Sequence, residues 1–200
     1  MCSAIHQSAD VHSDAEISEG VSIWHLAQVR ERASIGHDCV IGRGAYVGAG
    51  VTIGANCKVQ NFALIYEPAQ LGEGVFIGPS ATLTNDTYPR AVSPNGAIKG
   101  PDSWEAKGVV VHDGASIGAN ATCVAPLTVG RWSVIGAGAV VTRDVPDFAL
   151  VVGVPAQQIG WVGKAGIPLV ELSPSQFQCP VTEEKFSLLN GKLVEEVGPS

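Results

Sequence analysis

A large aliphatic residue recurs every six positions through most of the first half of the chain, and that step leaves few folds open. It runs Ile5, Val11, Ile17, Ile23, Val29, Ile35, Ile41, Val47, Ile53, Val59, Ile65, Leu71, Ile77 and Leu83, then resumes at Val111, Ile117, Cys123, Val129, Ile135 and Val141. A step of six does not hold one face of a 3.6-residue helix, so an amphipathic helix is excluded. The fifth residue of each hexad is small or β-branched, as in Ala27, Ala33, Cys39, Ala45, Val51 and Cys57. Gly often takes the second place, as in IGHDCV, IGRGAY, VGAGVT and IGANAT. Fixed-period self-similarity of this kind specifies a solenoid. The spacing predicts an all-β triangular prism. Large aliphatics fill the inside of each flat side, small residues sit near the crowded corners, and Gly and Asn supply turn conformations that other residues resist. Three hexads make an 18-residue coil, so the twenty hexads make about seven coils. Stacked as parallel strands ~4.8 Å apart, they give a prism ~30 Å long.

The step breaks once. After Leu83 come Thr84, Asn85 and Asp86, and residues 86–108, DTYPRAVSPNGAIKGPDSWEAKG, carry no such spacing. Pro89, Pro94, Gly96, Gly100 and Pro101 argue against a helix or strand there. Long excursions in compact domains are functional or disordered, and departure from a polar tripeptide points to function. Arg90, Lys99, Trp104 and Lys107 suit this loop to gripping a sugar nucleotide or a neighbouring subunit. Beyond about residue 162 the repeat is lost. We expect residues 1–162 to form the prism domain. Residues 163–200 would form a short extension capping its last strand edge, anchored by Phe186, Leu188, Leu189 and Leu193.

The net charge of −7 argues against non-specific nucleic-acid binding, which needs a field of Lys and Arg. The N-terminal stretch MCSAIHQSADVHSDAEI has no apolar core of signal-peptide length, and no run of 18 apolar residues occurs, so we expect a cytoplasmic protein without membrane insertion. Cys39, Cys57 and Cys123 fall on repeat positions and read as small core residues; Cys2 and Cys179 have no near neighbour for a metal or redox pair. The period also names vertical neighbours. Asn85 lies 18 residues after Glu67, so both occupy one corner a coil apart, where the loop departs. His25, Arg43 and Asn61 form a second column; for Arg43 an ordinary solvated corner is expected.

The hexads resemble the left-handed parallel β-helix of hexapeptide-repeat acyltransferases, over residues 5 to about 162. The left hand comes from that resemblance. So does the expectation of a homotrimer with acyl donor and acceptor meeting in clefts between neighbouring prisms. The segments IWHLAQV (23–29), VQNFALIYEPAQL (59–71), FIGPSATLTNDTYPRA (76–91) and SWEAKGVVVHDGASIGANATCVAPLTVG (103–130) are similar to N-acetyltransferases of nucleotide-linked 3-amino sugars. The resemblance is nearest to those acting on UDP-2-acetamido-3-amino-2,3-dideoxyglucuronate for surface polysaccharides; sister enzymes act on dTDP-3-amino-3,6-dideoxyhexoses. The chain departs from the pattern at Val154, where Asn often precedes Pro-Ala, and at Gln28, which replaces a second His.

The resemblance implies acetyl-coenzyme A as co-substrate, no metal, and amide formation at a sugar amine. The amine must be neutral and aimed, the oxyanion needs donors in place, and a proton must leave nitrogen. Asn85 would position the amine or hold the oxyanion. Glu67 or Asp86 would orient the amine or take its proton. His112 is a substitute base, and the departing thiolate is another acceptor. Asn61, Arg90, Trp104 and His25 are the substrate-binding candidates, with Trp24 beside the base. For coenzyme A the candidates are backbone groups of Gly118, Ala119, Ala121, Gly136, Ala137 and Ala139. Arg131, Arg143 and Lys164 would meet its phosphates, and Val141 and Pro155 its adenine end. Two other readings are an O-acetyltransferase, which needs a stronger base than the TND segment offers, and a non-catalytic or zinc-binding β-helix. In the latter His6, His12, His25, His37 and His112 would have to share columns, and their spacing does not allow it.

Overall fold

The computed structural model describes residues 4–100 and 103–196, so Cys2 and Pro101 lie outside the described residues. The expected solenoid is present. Its first side stacks eight parallel strands, from Ala4–Ile5 through Val40–Ile41 and Ser116–Ile117 to Ala149–Val152. The second side stacks seven, from Asp10–Val11 to Val140–Val141, and the third stacks six, from Glu16–Ile17 to Leu127–Val129, with Val145 bridging Val129 beyond them. That makes seven coils and the first side of an eighth. Partners fall 18 residues apart, as in Ile23↔Ile41 and Val47↔Ile65, except across the excursion, where Leu71↔Val111 and Leu83↔Cys123 are 40 apart, and in the last coil, where Ile135↔Val151 and Val129↔Val145 are 16 apart. The insertion therefore leaves the register of the prism intact.

We call the corners between sides one and two, two and three, and three and one the first, second and third edges. The hexad aliphatics point inward: Ile23, Ile35, Ile41, Ile65, Ile77 and Ile117 are at most 1% exposed. Each such side chain stabilises by ~1.5–3 kcal/mol. Cys39, Cys57 and Cys123 are buried free thiols in the same core. Two of them serve the third edge: Cys39 Sγ donates to the Gly54 carbonyl and Cys57 Sγ to that of Gly72, both at 3.1 Å.

The role expected of glycine needs correction. The left-handed turn conformation belongs to the fourth place of the hexad, and it is adopted there by Leu26, Asp38, Asn56, Phe62 and Trp132 as well as by Gly44 and Gly138. The second-place glycines do not have positive φ. They are required by space: a Cβ on Gly78 would lie 2.6 Å from the Ala119 nitrogen of the next coil. Glycine in the second place lets one turn settle onto the next.

At the C-terminal end, Gln157–Trp161 folds back antiparallel onto Ala149–Val152 and covers the open edge of the first side. A four-stranded antiparallel sheet follows: Val170–Ser173, Gln176–Gln178, Lys185–Leu189 and Lys192–Glu195. Phe186 and Leu193 bury themselves against Phe148, with Leu188, Trp132 and Trp161 around them, whereas Leu189 is 58% exposed. No helix among the described residues is long and apolar enough to cross a membrane.

Candidate active site

The excursion leaves from the second edge, and its neck is tied by hydrogen bonds. The Lys107 amide donates to the Asn85 carbonyl at 2.9 Å. Thr84 Oγ1 accepts from the Ala125 amide, and Thr87 Oγ1 donates to the Ala125 carbonyl, both at 3.0 Å. Two hydroxyls thus hold the next coil where the inserted chain leaves the ladder. Within the loop, Val92 and Ile98 form an isolated antiparallel bridge that draws its middle into a short arm, and its described residues form no α-helix or strand, as the prolines and glycines argued. Asn85 stands at the base of this arm, half-buried, one coil above Glu67.

Glu67 differs from its counterparts at the other corners. Asn61, Asp113 and Asp147 share its third place in the hexad. Each accepts the backbone N–H of the third-place residue in the coil below: Arg43 to Asn61 at 2.9 Å, Glu73 to Asp113 at 2.9 Å, Arg131 to Asp147 at 2.8 Å. Glu67 should cap Ala49 in the same way, and it does not. Its Oε2 is buried and makes no hydrogen bond. The longer side chain carries the carboxylate over Gly48, where a Cβ would collide with it. Buried carboxylate oxygens are rarely left without a donor, because the desolvation is then uncompensated.

The surroundings sharpen the contrast. Glu31 lies two coils below in the same column, where Arg30 Nε and Nη2 grip its carboxylate at 2.9 and 3.2 Å. Its own backbone N–H and then Arg30 hold the Glu31 carboxyl below the usual range. Glu67 has no such partner. Burial and then the Glu67 charge push the Tyr46 phenol up, while Arg30 opposes the shift. The Tyr46 and Tyr66 rings stand 5.2 Å apart beside this corner. Thr84, Thr87, Tyr46 and Arg30 were not among the candidates read from the sequence. The 18-residue column that joined Glu67 to Asn85 extends downward through Ala49 to Glu31, and following it would have reached the last pair.

The remaining candidates fall on different edges. Asp86 is spent on a local turn, its Oδ1 accepting from the Tyr88 amide at 2.8 Å. Arg90 is exposed, with Nη1 donating to the Pro89 carbonyl, and Trp104 is partly exposed in the loop. His25, Asn61, Gly118, Ala119, Ala137 and Pro155 line the first edge in successive coils. Ala121 and Ala139 point into the core, fully buried, with their N–H and C=O groups engaged inside the solenoid. Arg131 lies on the third edge, its guanidinium clamped to Asp147 Oδ2 at 3.0 and 3.1 Å. Lys164 pairs with Glu195 at 2.7 Å. Both face a cavity of about 1210 Å³ between the third side and the C-terminal sheet, as does His112. Arg143 is exposed on the second edge. No three His, Cys, Asp or Glu side chains among the described residues are grouped to hold a metal. His6 and His25, which the hexad count placed in different columns, have stacked rings.

Residues 14–54 and 50–85 match the bacterial transferase hexapeptide (six repeats) family, and residues 108–143 match the hexapeptide repeat of succinyl-transferase, together more than half of the chain. A dTDP-3-amino-3,6-dideoxy-alpha-D-galactopyranose 3-N-acetyltransferase from Aneurinibacillus thermoaerophilus is 53% identical over 53 residues, 26% of this chain and 28% of that protein. A 2,3,4,5-tetrahydropyridine-2,6-dicarboxylate N-acetyltransferase from Staphylococcus aureus is 35% identical over 88 residues, 44% of this chain and 31% of that protein. The match spans less than a third of the length of either relative. A hexapeptide-repeat acetyltransferase from Vibrio cholerae O1 biovar eltor, crystallised with acetyl-coenzyme A, superposes with a TM-score of 0.52 at 25% identity, covering 66% of this chain and 72% of that one. With its repeats, its coil register and these matches in agreement, the chain belongs to the bacterial hexapeptide-repeat transferase family.

Proposed function

We propose that the protein transfers acetyl from acetyl-coenzyme A to the 3-amino group of a nucleotide-linked amino sugar, UDP-2-acetamido-3-amino-2,3-dideoxyglucuronate, for surface polysaccharide synthesis in the cytoplasm. The observation that carries this reading is the buried, unpartnered Oε2 of Glu67 one coil below Asn85, at the neck of the inserted loop. A sugar amine would supply a donor to this otherwise unpartnered carboxylate. Family membership supplies the reaction class.

In this mechanism Glu67 accepts a hydrogen bond from the amine and aims its lone pair at the thioester carbonyl carbon. The N–C bond forms, and the carbonyl pair moves onto oxygen, which the Asn85 amide stabilises. The amine proton passes to Glu67. Collapse breaks the C–S bond, and the leaving thiolate takes the proton, giving amide and free coenzyme A. Asp86 keeps the loop turn in place. Arg90 and Trp104 hold the sugar nucleotide from the loop. Coenzyme A lies along Gly118, Ala119, Ala137 and Pro155 on the first edge, with Arg143 at its phosphates. The first and second edges are separated by a whole flat side. The two sets therefore meet between neighbouring copies of a homotrimer.

The 53% identical stretch favours a second acceptor, a dTDP-3-amino-3,6-dideoxyhexose. Thiol release from acetyl-coenzyme A, measured against UDP- and dTDP-linked 3-amino sugars and their 3-hydroxy analogues, tests both. Turnover restricted to amino sugars is expected. Equal turnover of the hydroxy analogues would replace this reading with O-acetyl transfer.

A further inference from the structure

The nucleotide half of the substrate needs its own seat, and the first edge has features that the mechanism above leaves unused. We propose that this edge is a ladder for a nucleoside diphosphate. His6, His25 and Trp24 take the base, Arg43 the diphosphate, and Asn61 the sugar. The proposal rests on the acetyltransferase reading and assigns the substrate-recognition residues of that site.

The ladder is built by the register. The Gly44 amide donates to the His25 carbonyl at 3.0 Å, the Phe62 amide to the Arg43 carbonyl at 2.9 Å, and the Arg43 amide to Asn61 Oδ1 at 2.9 Å. His25, Arg43 and Asn61 are therefore locked one above another in coils two, three and four. At the foot, the His6 ring stacks on His25 with centroids 3.4 Å apart and planes 25° from parallel. Trp24, 51% exposed, lies near-parallel to His25 at 6.3 Å and 12°. Exposed π-faces of this kind stack bases with little regard to base identity.

Arg43 is exposed and, like Arg32, Lys58, Arg90 and Arg143, takes part in none of the ion pairs of the described residues; what sets it apart is its place in the column between His25 and Asn61. A guanidinium left without a carboxylate in a chain of net charge −7 is matched to a phosphate, which it grips in a fork. Arg43 is exposed as a solvated corner would be, and the proposal gives it a phosphate to hold. Above Asn61 the column continues with Pro79, Ala119 and Ala137, so its polar stretch ends at coil four. That is the level of Glu67, one coil below Asn85. From His25 to the level of Asn85 is three coils, ~14 Å. Base, diphosphate and sugar follow in that order along the edge, and the amine arrives at the height of the carboxylate.

The competing account is that the stacked rings only shore up the open N-terminal coil, where Ile5 is 48% exposed. Calorimetric titration of the intact protein with UDP, dTDP and uridine separates the two. Wild type should bind the diphosphates more tightly than uridine. Arg43→Ala should weaken UDP and dTDP ~10- to 100-fold, the loss of a charge-assisted contact, and leave uridine unchanged. Arg43→Lys should recover part of the loss. His25→Ala should weaken all three. Unchanged diphosphate affinity in Arg43→Ala, a His25→Ala effect confined to the melting temperature, or no nucleotide binding by wild type would each overturn the ladder. Amino-sugar acetylation that persists with normal KM in Arg43→Ala would sink the ladder alone. Absence of acetylation across the amino-sugar panel would sink the functional reading instead.

Discussion

Two kinds of corner on this prism differ in the length of the third-place side chain and in the backbone that follows it. At Asn61, Asp113 and Asp147 a short side chain drops onto the amide of the coil below and closes the ladder. At Glu67 a longer one overshoots, and a carboxylate oxygen stays buried without a donor. The short residues add stability by giving one oxygen to the backbone of the coil below. The long one gives up that bond and keeps an acceptor beneath Asn85. A repeat fold makes the comparison direct, because the same place in the hexad recurs; the corner at Glu67 also differs in backbone, with a cis peptide to Pro68 where Phe62, Gly114 and Phe148 take the left-handed conformation. The difference shows that at Glu67 the second edge lacks the structural contact made at the other corners, and the proposed mechanism gives that carboxylate a chemical use instead.

The largest expected break in the comparison comes one coil higher. Asn85→Ala should lower kcat by ~10²–10³-fold, the loss of one oxyanion donor, while the oligomer and melting temperature stay unchanged. Wild-type turnover in this variant would remove Asn85 from the chemistry. Glu67 offers a two-way test. Glu67→Gln keeps the shape but cannot take a proton, and kcat should fall ~10²-fold, at the low end for a general base. Glu67→Asp should convert this corner into the other kind. The shorter carboxylate reaches the Ala49 amide, stability rises by ~1 kcal/mol, and kcat falls because the acceptor is spent. Thermal unfolding and turnover measured on the same samples must move in opposite directions. If both fall together, the corner has no such exchange.

How much of this was legible beforehand follows from what a period can encode. The step of six identified inward and outward positions, so Ile5 to Val141 were assigned to the core; Ile5 is 48% exposed and Val11 and Ile17 are half-buried, because no described coil packs beneath them. Stacking by 18 placed Glu67 under Asn85 and His25 under Arg43. Periodicity is blind to whether an atom is satisfied. Nothing in YEPA says that Glu67 misses Ala49, because that depends on the reach of one side chain over Gly48. Contacts between adjacent hexad places were also lost, since His6 and His25 stack although one is a second and the other a third residue. Glycine was assigned to turns by conformation, when the second place excludes a Cβ by the nearness of the next coil. The excursion was marked by its break in spacing. Its neck was not, because Thr84 and Thr87 act on Ala125, a residue 38 to 41 positions away. The four-stranded C-terminal sheet carries no period at all, and only the burial of Phe186 and Leu193 was foreseen there.

The smallest effect belongs to the ordinary corner, and it is the control on which the comparison stands. Asp113 accepts the Glu73 amide on the third edge, exposed to solvent and far along the perimeter from the loop neck. Asp113→Ala removes an acceptor that water can partly replace, so the loss should be ~1 kcal/mol. For a chain of this length that is a fall in Tm of ~2–4 °C. Asp113→Asn keeps an oxygen at the same reach and should restore most of it. In both variants kcat and KM should match wild type, because the residue lies on the third edge, away from the loop neck, and its Oδ1 serves the backbone. A fall in turnover in Asp113→Ala at unchanged Tm would mean that corners of either kind communicate with the reacting groups, and the distinction between them would have to be abandoned.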